Sequence, residues 1–187
     1  MKKLLIILFA LTLSGSVYAQ KVAVKTNLVY DAALTANLGF EFKLGKTMTL
    51  DVSGGWNQWA IKDCKQWKHW AVQPELRWWT CEAFNGFFIG VHALGGVYNF
   101  AQLKLPFDIA PGLADHRYEG YFMGGGITFG YQWILSPHWS LEAAAGVGYA
   151  RIQYDKFQCG DCSPILESGW SNYVGPTKLA LSLVYMF

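Results

Sequence analysis

From Thr177 to Phe187 the chain alternates without a break: Thr177, Leu179, Leu181, Leu183, Tyr185 and Phe187 fall on one parity, and Lys178, Ala180, Ser182, Val184 and Met186 on the other. A period of two predicts a β-strand with two unlike faces. The pattern recurs upstream. Residues 22–30 set Val22, Val24, Leu28 and Tyr30 against Lys25, Asn27 and Asp31, and after a turn over 32–36, residues 38–44 set Leu38, Phe40, Phe42 and Leu44 against Gly39, Glu41 and Lys43. Further strands are predicted over 48–57 (with Asp51 on the polar face), 70–78 (Trp70 and Trp78 against Glu75 and Arg77), 87–98 (with His92), 120–133 (ending on Trp133), 139–149 (Trp139 and Tyr149 against Glu142) and 173–187. The connections at 45–46, 81–86 and 136–137 are short; those at 60–68, 100–117 and 154–172 are long, the last the longest. The expectation is all-β, about eight strands, with no helical pattern after the N-terminal leader.

That leader changes the picture first. Lys2 and Lys3 precede an apolar run over 4–13, and Val17-Tyr18-Ala19 carries small residues where a signal peptidase reads, so residues 1–19 are expected to be a cleaved signal peptide and 20–187 the mature domain. With Lys2 and Lys3 gone, the 15 Lys and Arg fall to 13, equal to the 13 Asp and Glu. A neutral chain has no electrostatic footprint for nucleic acid. Only 15% of residues are charged and 52% are hydrophobic, against about 25% charged in soluble domains. Beyond the leader no run reaches the ~18 apolar residues of a membrane helix; a membrane would be crossed by strands.

A closed antiparallel transmembrane β-barrel satisfies these constraints. Short turns at one end and longer loops at the other are usual for such barrels, and the closing strand resembles the C-terminal strand that barrel assembly machinery receives. Glycines crowd the polar face of the middle strands, where a narrow lumen needs small residues, while the apolar face is bulky. Trp70 and Trp78, eight residues apart, are roughly 20 Å apart along the barrel axis, and Trp139 and Tyr149 roughly 25 Å. With Trp133 and Phe187 these form an expected aromatic girdle facing outer-membrane lipid. The lumen then holds Lys25, Asp31, Glu41, Asp51, Glu75, Arg77, His92, Glu142 and Lys178. Some eight strands enclose room for side chains only, so these groups are expected to pair into a plug, not to line a channel.

Candidate chemistry is sparse. Cys64 and Cys81 lie at opposite ends of one strand, beyond disulfide reach; Cys159 and Cys162 are expected to form a local disulfide, with Cys64 a competing partner. A redox CxxC would open a helix after a strand, which is lacking here, and one CxxC is weak evidence for zinc. His92 points inward among glycines and reads as a hydrogen-bonded core residue. The rival function, a lipid-modifying enzyme on a small barrel, would need a His, a Ser or Thr and a carboxylate at one rim; His116, Ser171 and Asp161 are the candidates, with no spacing that requires it. No catalytic, cofactor or metal residue is assigned.

The segments KTNLVYDAALTANLGFEFKLG, KHWAVQPELRWWTCEAFNGFFIGVHALGG, RYEGYFMGGGITFGYQWILSPHWSLEAAAGVGYARIQYDKFQCGDC and YVGPTKLALSLVYMF together resemble the DUF3575 family, small outer-membrane barrel proteins of Bacteroidetes. The resemblance covers nearly all of 21–187. It implies a barrel in the envelope of a Gram-negative cell, a frequent association with fimbrial genes and no activity. The expected role is structural or in surface interaction, with an envelope or fimbrial protein as partner, and Leu103, Leu105, Phe107 and Ile109 favour contact with protein or lipid.

Overall fold

A computed structural model describes residues 22–60, 66–101, 116–158 and 164–187. The predicted leader, Cys64, Leu103–Ile109, Cys159, Asp161 and Cys162 lie outside them. Eight strands follow in order: β1 Val22–Asn27, β2 Ala36–Lys43, β3 Met48–Ala60, β4 Gln66–Trp79, β5 Gly86–Ala101, β6 His116–Ile134, β7 Trp139–Gln158 and β8 Ile165–Met186, with one short helix, α1 Leu28–Ala32, after β1. Every strand pairs antiparallel with its neighbours in sequence, and β1 pairs with β8, so the sheet closes into a barrel. Closure leaves no free edge over the paired rows. Alternation then sorts the side chains: Leu38, Trp70, Val91, Phe129 and Leu179 are exposed on the outer wall, and Glu41, Glu75, Arg77 and Glu142 are buried within. The polar residues are inside and the large apolar ones outside.

The helix corrects the first strand. Alternation continues on paper through Tyr30, but Asn27 stops the ladder: its Oδ1 accepts from Val29 N at 3.1 Å and caps α1. Leu34 closes the turn at φ 54°, donating its N–H to Asp31 O while Thr35 N reaches Tyr30 O. Asp31 therefore does not join the lumen wall. It is exposed at the mouth, bound to Thr26 Oγ1 at 2.9 Å and Asn37 Nδ2 at 2.7 Å.

The long-loop end is taller than expected. Most of the predicted 154–172 loop is paired strand, with Tyr154 opposite Gly169 and Lys156 opposite Glu167, and β5 and β6 stay in register up to Ala101 and Arg117. Local composition hid these extensions, because residues 153–156 and 167–172 show no large apolar–polar contrast between alternate positions. At the short-turn end, Trp79, Phe84 and Phe88 pack with Ala23, Val184 and Met186 into an apolar floor, the Trp79 and Phe88 rings 4.8 Å apart. The lumen is stoppered there by carbon.

Between β6 and β7 the two backbones leave no room for a Cβ at Gly126 or Gly148. A Cβ on Gly126 would stand 2.8 Å from Gly148 Cα, and one on Gly148 2.6 Å from Gly126 Cα. Gly126 and Gly148 are register partners, so each makes room for the other.

Candidate functional site

Above the apolar floor, four acids and three bases from six strands converge. Arg77 of β4 is wholly buried and stands at the centre. Its Nε donates to Glu75 Oε1 at 2.6 Å, Nη1 to Glu41 Oε2 at 2.9 Å and Glu142 Oε2 at 2.7 Å, and Nη2 to Asp51 Oδ2 and Glu142 Oε1 at 3.1 Å each. Its guanidinium also lies 4.3 Å over the Phe88 ring. A planar group with five donors can serve four carboxylates at once, which an ammonium cannot.

Lys25 of β1 meets Glu41 at 2.5 Å, Glu142 at 3.2 Å and Asp51 at 3.4 Å. Lys178 of β8 meets Glu75 at 2.7 Å and Asp51 at 3.5 Å, while Glu142 goes to Arg77 and Lys25. Strand register explains the gathering, since Glu41 faces Asp51 and Asp51 faces Glu75 across β2, β3 and β4. Three acids thus sit in one row, with the bases above and below. Lys43, also on the inner parity, lies nearer the turns and pairs with Glu82 at 3.6 Å.

Neutral groups complete the network, and sequence reading did not single them out. Thr49 Oγ1 donates to Glu41 Oε1 at 2.5 Å, and Trp79 Nε1 to Thr49 Oγ1 at 2.9 Å. Thr128 Oγ1 donates to Glu75 Oε2 at 2.9 Å, leaving its lone pair for His92 Nδ1 at 2.8 Å. That contact assigns the proton to Nδ1, so Nε2 accepts from Thr177 Oγ1 at 3.0 Å. The inner parity of Thr49 and Thr128 was the available signal. For Thr177 parity misleads: β8 carries one extra residue where Gly146 faces Lys178 and Val147 faces Pro176, and this bulge turns the Thr177 hydroxyl inward.

The order Thr177, His92, Thr128, Glu75 has the elements of an activated hydroxyl, but Thr128 stands between base and acid. His92 Nδ1 is 4.0 Å from Glu75 Oε2, and Glu75 already holds Arg77 and Lys178. The other imagined set is dispersed: His116 faces Gln158, whereas Ser171 faces Ile152, about 20 Å away along β7 at ~3.3 Å per residue. Among the described residues no group of three or more His, Cys, Asp or Glu side chains could hold a metal.

Towards the long-loop end the ion cluster floors a cavity of about 280 Å³, lined also by Asn27, Asn37, Ser53, Gln73 and Tyr30 of α1. On the outer wall Trp70, Trp78, Trp133, Trp139, Tyr149 and Phe187 are all exposed. Trp133, Trp139, Tyr185 and Phe187 gather at the short-turn end, with Trp139 and Tyr185 5.0 Å apart, while Trp70 faces Trp56 near the other. Cys81 is free and exposed in the turn after β4, at the far end of that strand from Gln66.

One family model, described as a protein of unknown function (DUF3575), matches residues 4–187. No curated protein matches the chain.

Proposed function

We propose that this chain, which belongs to the DUF3575 family, is a small outer-membrane β-barrel with a plugged polar interior, acting as a structural or surface-interaction protein without catalysis. One observation carries the reading: the barrel is inverted relative to a soluble one, with ion pairs buried at its centre and tryptophans exposed around its wall. In water such a wall would aggregate; in a bilayer it is solvated, and over the rows where the ring is closed no main-chain edge is left to face lipid. A leader at 1–19 delivers the chain to the envelope, lipid surrounds it, and barrel assembly machinery inserts it. With both ring nitrogens of His92 occupied and His116 far from Ser171, the lipid-modifying alternative gains no support. An accessory role to surface fimbriae is the finer reading; it rests on the resemblance of the sequence segments, and envelope crosslinking that recovers no fimbrial component would remove it.

Fractionation tests the location. The chain expressed with its leader should sediment with outer membranes, resist carbonate extraction and migrate faster on gels before boiling than after; recovery in the soluble fraction would defeat the proposal. In planar bilayers the wild type should show no open pore. Glu75→Ala frees Arg77 Nε, Lys178 and Thr128 at once and should cost about 3–5 kcal/mol of stability, with conductance still at zero because the Trp79, Phe84 and Phe88 floor is untouched. Phe187→Ser should slow assembly in cells while leaving refolding in detergent near wild type, since Phe187 is 65% exposed and contributes little to the interior.

A further inference from the structure

β8 and its two neighbours differ in length. β7 accompanies it from Tyr185 up to Ile165, but β1 pairs with it only from Met186 to Ser182. Asn27 finishes that short ladder with its side chain, Nδ2 donating to Leu179 O at 3.1 Å and Oδ1 accepting from Leu181 N at 3.2 Å. Over residues 165–178, β8 therefore has one main-chain edge with no strand beside it among the described residues, roughly 45 Å long at ~3.3 Å per residue. The opposite overhang is treated differently. At the top of β3, Asn57 Nδ2 donates to Thr35 Oγ1 at 3.0 Å and Trp59 Nε1 to Leu34 O at 2.7 Å, so side chains tie that edge to the turn after α1.

The bonds from Asn27 show odd residues of β8 turning their main chain to this side. The extra residue at the bulge transfers that role to even ones, Ser168, Trp170, Asn172, Val174 and Pro176. Pro176 has no N–H to leave unpaired, and its carbonyl accepts from Tyr173 Oη at 3.1 Å. The rest of the edge lacks the usual blunting by lysine, since Glu167 is the one charge between Ile165 and Thr177. Its outer face is apolar at Trp170 and Val174, the latter 81% exposed, and its inner face carries Ser171 and Tyr173.

We infer that the β8 edge at 165–178 is a strand acceptor, taking an extended segment of another polypeptide with apolar residues on its outward face. Alternating free N–H and C=O groups recognise extended backbone and little else. The inference rests on the surface-interaction reading in its choice of occupant. Two copies in one membrane are related by rotation about its normal, which would run their β8 edges parallel with the apolar face of one joined to the polar face of the other; a separate strand has no such restriction.

The test uses refolded protein in detergent, so its failure is distinct from failure of the outer-membrane location, which fractionation decides. A labelled peptide of alternating valine and threonine, flanked by lysines, should bind saturably by fluorescence anisotropy. Asn172→Pro removes an edge N–H without touching the β7 ladder and should weaken binding roughly tenfold, the worth of one hydrogen bond. Asn172→Ala loses the same side-chain bond to Tyr149 Oη but keeps the N–H, and should bind as wild type. If Asn172→Pro does not show heat-modifiable migration, Ser168→Pro repeats the comparison nearer the tip of the hairpin. No saturable binding, equal affinity of a folded proline variant, or a detergent dimer that the proline dissociates would each overturn the inference.

Discussion

Arg77→Ala should prevent the barrel from reaching its folded state under conditions where the wild type refolds. The guanidinium touches Glu41, Asp51, Glu75 and Glu142, and its removal leaves four buried carboxylates to Lys25 and Lys178. Breaking one buried pair by deleting a partner typically costs about 3–5 kcal/mol, and here one deletion strips four acids, against a whole-domain stability of about 5–15 kcal/mol. Arg77→Lys should recover only part, because one ammonium with three donors cannot reach four carboxylates in a fixed plane. Arg77→Leu combined with Glu142→Leu should be less damaging than Arg77→Ala alone, since it removes an acid with the base and fills the space; the pair is coupled and its effects will not add. Urea titration followed by gel mobility measures all three, and an Arg77→Ala midpoint equal to wild type would show that the cluster is not what holds the lumen together.

Gly126→Val is the second large effect, and it works by volume. The new Cβ would sit 2.8 Å from Gly148 Cα and press on the Val147 carbonyl. These are main-chain atoms of the adjoining strand and cannot rotate away, so β6 and β7 would have to part where both are fully paired. Assembly should fail, with the chain remaining in the unfolded, slow-migrating form. Gly148→Val should behave alike. Gly45→Ala, whose Cβ would meet nothing within 4 Å, should refold as wild type, and this contrast separates a steric cause from a general intolerance of glycine replacement.

Much of this architecture is written in the sequence at period two. Leu38–Leu44 and Trp70–Trp78 sort their side chains by parity alone, because a barrel wall gives each strand one uniform environment per face. Lys25, Glu41, Asp51, Glu75, Arg77, Glu142 and Lys178 share the inner parity, so their convergence could be anticipated without knowing who touches whom. Failures arose where a local event breaks the period. Asn27 capping α1 removed Asp31 from the wall, and the bulge at Thr177 reversed a side chain that simple alternation sends outward. The tall hairpin of β7 and β8 was hidden for another reason: Gln153–Lys156 and Glu167–Asn172 have no large contrast between faces, and their pairing depends on register handed up from the strands below.

The short β1 has a consequence for how the ring comes apart. It is stitched to β8 over five residue pairs, from Ala23 opposite Met186 to Asn27 opposite Ser182, and to β2 over four. Regional opening costs least where the fewest bonds must be broken together. The amides of β1 should exchange with deuterium before those of β6 or β7, as one group, and the buried lysine that β1 carries, Lys25, would take its share of the central charge with it. A stave held by so few stitches makes the N-terminal strand the first to be lost.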